Sequence, residues 1–155
     1  MLWKKERKDG GAELELALEP VAKGLGLSLV ELIVSRHRGT VHVRAVVFKR
    51  EGVGIDDCSR FHRAITPRLE LAFGEAELSI EVSSPGIDRL IRDGAEFVHY
   101  IGCPIKWYNV ELADWSYGIV ERVTETFIEI KGIDRMETLT YERIAKAKLD
   151  SKAAE

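Results

Sequence analysis

The spacing of apolar residues in the first half of the chain predicts two helices and three strands. A stripe at helical spacing predicts a helix over 12–25; its members are Leu14, Ala17, Leu18, Val21 and Leu25. Strands are predicted over 27–35 and 41–48, a second helix from Ile55 to Gly74, and a third strand over 78–83. This α-β-β-α-β order is typical of a two-layer domain with both helices on one face of the sheet.

Two prolines and two acids modify the helix predictions. Pro20 and Pro67 each lie within a predicted helix, and we expect a kink or a break at both because proline lacks the backbone N–H. Asp56 is the predicted N-cap of the second helix, and Asp57 follows it near the positive end of the helix dipole. The same pair could bind a divalent cation, but capping accounts for both residues, and no metal is predicted.

The second half of the chain has a different pattern, with short apolar runs separated by turns. These runs cover 101–108, 117–123, 127–131, 137–141 and 144–149. Short strands at regular spacing predict a small β-barrel. We therefore predict an α+β protein of two domains, 12–88 and 89–150, flanked by flexible tails at 1–11 and 151–155.

A rigid turn joins the two predicted domains. The strand over 78–83 ends at Ser84-Pro85-Gly86, where proline fixes its own φ and favours an extended Ser84, and glycine permits positive φ. Charged residues follow at once. We predict an interdomain turn at which the domains meet, formed by Ser83, Ser84, Pro85, Gly86, Asp88 and Arg89. An ordinary turn with solvated charges is the alternative.

Charge is distributed unevenly along a chain whose net charge is −3. The segment 36–68 holds eight basic and three acidic residues, a local net of +5, so the remainder sums to −8. Such segregation favours a polyanion at one region and a basic partner at another. The alternative is that basic residues clustered in sequence do not form one surface, because side chains alternate across a strand and spread around a helix.

The composition, 45% hydrophobic and 32% charged, is that of a soluble globular protein. No apolar run approaches the roughly 20 residues that a membrane span needs. The first eleven residues are charged and lack the apolar core of a signal peptide, so we expect a cytoplasmic protein with no membrane contact. Two cysteines, Cys58 and Cys103, make no disulfide framework.

Two groups of residues could carry chemistry. Cys58 and His62 are four apart on a predicted helix, which could make a metal site or an activated thiol. A buried cysteine that packs like a small hydrophobe is the stronger interpretation, so we predict no enzyme and no cofactor. The aromatic residues Trp107, Trp115 and Tyr117 could stack nucleotide bases or hold a peptide, or fill the barrel core. Trp115 follows an exposed-looking connection and is the better binding candidate.

Four segments together resemble the ribosome maturation factor RimP family. The most specific is Val82-Ser-Ser-Pro-Gly-Ile-Asp-Arg-Leu90; the others are Leu29-Val-Glu-Leu32, Ile55-Asp-Asp-Cys-Ser59 and Ile144-Ala-Lys-Ala-Lys-Leu149. They occur in the family's order and cover the chain from about residue 26 to residue 149. Leu90 departs from the family, which usually has proline there, and leaves the segment after Arg89 less constrained.

The resemblance implies an α/β domain followed by an SH3-like (Sm-like) barrel. It also implies a cytoplasmic, non-enzymatic factor that assists maturation of the 30S subunit by binding its precursor, through 16S rRNA, ribosomal protein S12 or both. We expect a monomer whose rRNA contacts come from Arg36, Arg38, Arg44, Arg60, Arg63 and Arg68. A protein-binding adaptor with no direct RNA contact is the alternative.

Overall fold

A computed structural model describes residues 11–86 and 89–150 of the chain. These residues divide into two compact units, with the division between Pro85 and Gly86. Within the described ranges, no helix is both long and apolar enough to cross a bilayer. The α+β class predicted from the sequence is confirmed.

The N-terminal unit contains two helices and a three-stranded sheet. Its elements are α1 (Gly11–Gly24), β1 (Ser28–His37), β2 (Thr40–Phe48), α2 (Ile55–Phe73) and β3 (Glu77–Ser83). β1 and β2 form an antiparallel hairpin, and β3 pairs parallel to β2, giving the order β1-β2-β3. A parallel pair needs a crossover connection, and α2 provides it.

Alternating residues of β2 build the core of this unit. Val41, Val43 and Ala45 are buried against Leu18 of α1 and Phe61 of α2 in one cluster. The residues between them, His42 and Arg44, are exposed on the opposite face of the sheet. The helices therefore cover one sheet face, and at His42 and Arg44 the other face is open to solvent, which separates two surfaces of this unit.

The helix predictions need three corrections. Neither Pro20 nor Pro67 breaks its helix, because α1 and α2 each continue through the proline; a kink at either proline stays a prediction. Burial of the apolar stripe on either side of the proline outweighs the one lost backbone hydrogen bond. The N-cap of α2 is Gly54, not Asp56, and α1 begins at Gly11, inside the predicted tail.

The C-terminal unit is an antiparallel sheet preceded by a 3-10 helix over Gly94–Tyr100. Its strands are β4 (Pro104–Asn109), β5 (Asp114–Val123), β6 (Phe127–Lys131), β7 (Met136–Thr140) and β8 (Ile144–Leu149). A second 3-10 helix, Tyr141–Arg143, separates the last two strands. The sheet order is β7-β6-β5-β4-β8, so the last strand returns to pair with the first. Closure of this sheet into an SH3-like barrel stays a prediction.

One glycine of this sheet is required by close packing. Gly118 lies opposite Ile105 in the β4–β5 ladder and precedes Ile119, which pairs with Lys131 of β6. A Cβ atom at this position would overlap Ile130 Cγ2 and would lie 3.0 Å from the Lys131 carbonyl oxygen. Glycine in a strand interior marks such a close approach.

Candidate functional site

The start of α2 is organised around the Asp57 carboxylate. It accepts hydrogen bonds from the backbone N–H of Gly54 at 2.9 Å, from Lys49 Nζ at 3.2 Å and from Arg60 Nη2 at 2.7 Å. The Gly54 hydrogen bond, followed by the lysine and arginine partners, lowers the pKa of Asp57 to about 2. Asp57 is therefore an anchor that caps the helix and tethers Arg60 to its first turn.

Five of the six predicted arginines are exposed on α2 or at the end of the β1–β2 hairpin: Arg36, Arg38, Arg60, Arg63 and Arg68. Arg36 lies with its guanidinium 5.5 Å from the ring centre of Phe73, the last residue of α2. Arg68 donates a hydrogen bond to the Ala64 carbonyl at 2.9 Å. Arg38 occupies the hairpin turn at a φ of +49°.

Arg44 does not lie with the helix arginines. Its neighbours Val43 and Ala45 are buried against the helices, so Arg44 points to the open face of the sheet. There it stands opposite Ile33 of β1 and Glu81 of β3. Arg44 therefore lies on the sheet face opposite the helices, so the six arginines do not form one surface.

The Cys58–His62 pair lines a groove on α2 of about 350 Å³, together with Ser59, Arg63 and Val82. Burial, and secondarily the charge of Asp57, raises the pKa of the Cys58 thiol. That shift is opposite to the one that an activated thiol requires. Among the described residues, no group of three His, Cys, Asp or Glu side chains is placed to hold a metal ion.

The predicted interdomain turn is described only in part, since Asp88 lies outside the described residues. Ser83 ends β3 opposite Val46, and the N–H of Arg89 donates to the Gly86 carbonyl at 3.1 Å. Ser84 and Gly86 are exposed, and Pro85 is half-buried.

Arg89 belongs to a buried network of the C-terminal unit. Its Nη1 and Nη2 donate to the two carboxylate oxygens of Glu96 at 2.6 and 3.0 Å. Glu96 is 1% exposed and also accepts from the Tyr100 hydroxyl at 2.7 Å and the Arg92 N–H at 3.0 Å. Leu90 forms a bridge with Lys148, so the segment after Arg89 is attached to β8 despite the missing proline.

The three aromatic candidates have different environments. Trp107 is 2% exposed and packs in the core of the sheet, which favours the alternative that it fills the core over a role in binding. Tyr117 is 58% exposed, and Trp115 is half-buried. Tyr108 of β4 pairs with Trp115 of β5, so their side chains share one face of the sheet. Trp107 precedes Tyr108 in β4, and because side chains alternate along a strand, Trp107 lies on the other face.

Trp115 has three lysines around its ring, which the sequence reasoning missed. The Nζ atoms of Lys106, Lys146 and Lys148 lie 5.4, 5.4 and 5.8 Å from its ring centre. Lys146 and Lys148 are two residues apart in the last strand, a spacing that predicts two lysines on one face of the sheet. Their meeting with Lys106 depends on β8 pairing with β4, which the sequence pattern does not specify.

Comparison with known families covers most of the N-terminal unit. Residues 17–88 match the model of the RimP N-terminal domain. The match begins within α1 and extends past the end of β3, and so includes residues 82–88 of the run that carried the resemblance. Residues 17–88 are therefore a RimP N-terminal domain, and this match supports the resemblance of the chain to the RimP family.

Proposed function

We propose that this protein assists maturation of the 30S subunit by binding its precursor, without catalysing a reaction. The observation that carries the proposal is the group of exposed arginines on α2 and the adjoining hairpin of the RimP N-terminal domain. A guanidinium offers planar, paired donors to phosphate oxygens, so this side of the domain suits the backbone of 16S rRNA.

The two central arginines of α2 have different roles in this proposal. Arg63 makes no hydrogen bond or ion pair to any residue that the structure describes, so its charge is available to a phosphate. Arg60 is tethered to Asp57 at 2.7 Å, which holds its side chain in place but partly neutralises it. Arg63 is therefore the primary phosphate contact in this proposal, and Arg60 supports it.

The C-terminal unit supplies the second half of the proposal. We infer an SH3-like (Sm-like) barrel, because five antiparallel strands are present and β8 returns to β4, leaving β7 and β8 as the two edges that closure would join. Ribosomal protein S12 is the proposed protein partner.

A cytoplasmic monomer is the form that we propose acts on the precursor.

A protein-binding adaptor remains a second candidate, favoured by one observation. Residues outside 36–68 sum to a charge of −8, which suits a basic ribosomal protein better than RNA. In this case the protein would bind S12 after nuclease treatment and would have no affinity for isolated 16S rRNA.

Binding to isolated 16S rRNA at several salt concentrations tests the proposal and separates the two candidates. Arg63→Ala should weaken binding and lower the slope of log affinity against log salt by about 0.7–0.9, the value for one lost phosphate contact. Arg135→Ala is the matched control, because Arg135 is an exposed arginine of the other unit. Equal slopes for wild type and Arg63→Ala would contradict an RNA role for α2.

Arg44→Ala serves as an internal comparison within the N-terminal unit. Its side chain lies on the open sheet face, opposite Glu81, and not with the helix arginines. A smaller loss of affinity than for Arg63→Ala is expected. A larger loss would move the RNA contact to the open sheet face.

A further inference from the structure

The outer face of β4, β5 and β8 carries aromatic and basic side chains side by side. We call it the aromatic–lysine face; it comprises Lys106, Tyr108, Trp115, Tyr117, Lys146 and Lys148. The ladders place Lys106 opposite both Tyr117 and Lys148, and Tyr108 opposite Trp115. Intervening residues such as Ile105 and Ala147 are buried, which fixes the direction of the others.

Trp115 is the centre of this face. Tyr108 approaches its ring edge-on, with 5.9 Å between ring centres. Lys146 lies within reach of both rings, 5.4 Å from Trp115 and 5.6 Å from Tyr108. Tyr117 is 58% exposed and lies two residues along β5, so its Cα is about 7 Å from that of Trp115 and it adds a third ring to the same face.

The positive charge of this face is not compensated by ion pairs. Within 11–86 and 89–150, none of Lys106, Lys146 and Lys148 has a carboxylate partner, whereas the arginines at 122 and 143 do. Three like charges around one ring repel one another, and the attraction of each ammonium to the indole offsets only part of that repulsion. A polyanion would relieve it.

We propose that the aromatic–lysine face binds a single-stranded RNA segment. One base stacks on Trp115, and the flanking phosphates pair with the three lysines. Stacking needs a base that is not already stacked in a helix, which favours a single strand over a duplex. An acidic peptide would match the charge but would leave the indole without a flat partner. The inference rests on the proposed function for its ligand class and adds a second RNA contact, in the C-terminal unit.

Titration of the full chain with a twelve-residue oligouridylate, followed by tryptophan fluorescence, tests this inference. Trp115→Ala should weaken binding about tenfold and remove most of the quenching, as expected for the loss of one stacked base. Trp115→Phe keeps an aromatic ring and should restore most of the affinity. Because the ring is half-exposed and outside the core, both variants should keep the wild-type urea midpoint.

A pair of lysine variants tests the phosphate contacts. Lys146→Ala should lower the salt slope by about 0.7, the value for one phosphate contact on a single strand. Lys23→Ala removes an exposed lysine at the end of α1 and should leave the slope unchanged. Equal oligouridylate affinity in Trp115→Ala and wild type would overturn the inference. So would displacement of the RNA by polyglutamate at the same charge concentration, which would indicate a site for acidic peptides.

Failure of this inference is distinguishable from failure of the proposed function. Arg63→Ala changes the N-terminal unit alone, and Trp115→Ala the C-terminal unit alone. If Arg63→Ala impairs binding to 16S rRNA while Trp115→Ala has no effect on oligouridylate, the second contact is wrong and the proposed function stands. If Trp115→Ala weakens oligouridylate binding and Arg63→Ala has no effect on binding to 16S rRNA, the aromatic–lysine face is supported and the α2 contact is rejected.

Discussion

Arg89 and Glu96 form a two-point ion pair in which the carboxylate is fully enclosed. The Arg89 side chain is 19% exposed and that of Glu96 is 0% exposed. The pair joins the residue that follows the Ser-Pro-Gly turn to the 3-10 helix at the start of the C-terminal unit. Arg89 was predicted to fix the turn between domains, and the structure gives it a partner within the second unit.

Removal of Arg89 should therefore be costly. Arg89→Ala leaves Glu96 buried with hydrogen bonds from Tyr100 and Arg92 but without this cation, and the expected loss is about 3–5 kcal/mol in the free energy of unfolding. Arg122→Ala is the control, because its pair with Glu129 is solvent-exposed and worth at most about 1 kcal/mol. Urea denaturation measures both. Equal midpoints for the two variants would show that the Arg89 pair does not stabilise the protein.

The Asp57 carboxylate should make stability depend on acid pH. Its pKa is about 2 in the folded chain, below its usual value of 3.8, so its contribution is fully present above about pH 4 and is lost as the pH falls toward 2. Asp57→Asn should be less stable than wild type at pH 7, and the difference should close near pH 2. Urea midpoints measured across this range provide the check.

Asp56→Asn is the matched control for that experiment. Asp56 is exposed and precedes Asp57, but it is not the helix cap. Its variant should follow the wild-type stability curve from pH 7 to pH 2. If Asp56→Asn lost as much stability at pH 7 as Asp57→Asn, Asp56 would be the capping residue instead.

Gly118 should tolerate no side chain. Gly118→Ala places a methyl group against Ile130 and the Lys131 carbonyl, so β6 must shift, at an expected cost of about 1–3 kcal/mol. Gly24→Ala is the control, because a Cβ at the end of α1 would meet nothing within 4 Å. Thermal or urea unfolding distinguishes them, and equal stability of the two variants would mean that β6 does not approach β5 as closely as described.

The sequence predicts the helices and strands better than it predicts which residues come into contact in the fold. Helical spacing located α1 and α2 because both bury one stripe, and Phe61, Ile65 and Leu69 are fully enclosed. Proline was given too much weight, since tertiary packing carries both helices through it. The predicted N-cap, Asp56, is two residues too late, because Gly54 has no side chain that would mark it as a cap, while Asp57 accepts the hydrogen bond from its N–H.

Site residues could be predicted from the sequence only where their position does not depend on the pairing of distant strands. Exposed arginines and the partly exposed Trp115 could be read from composition and position. Arg44 could not be separated from the helix arginines without the strand register, and Glu96 looked like any surface acid although it is 1% exposed. The lysines around Trp115 come from strands 40 residues apart along the chain, joined by the β4–β8 ladder.

The Cys58 thiol should react slowly at neutral pH. Burial raises its pKa above the usual 9.0, and the neighbouring Asp57 charge acts in the same direction, so less thiolate is present at a given pH than in an exposed cysteine. Iodoacetamide should therefore alkylate the native chain more slowly at pH 8 than it alkylates glutathione, and faster once urea unfolds it. Cys103 is buried, and the Cys58→Ser variant shows how much of the measured alkylation occurs at Cys58. Native-state alkylation faster than that of glutathione would indicate an activated thiol in the Cys58–His62 groove and would contradict the non-catalytic proposal.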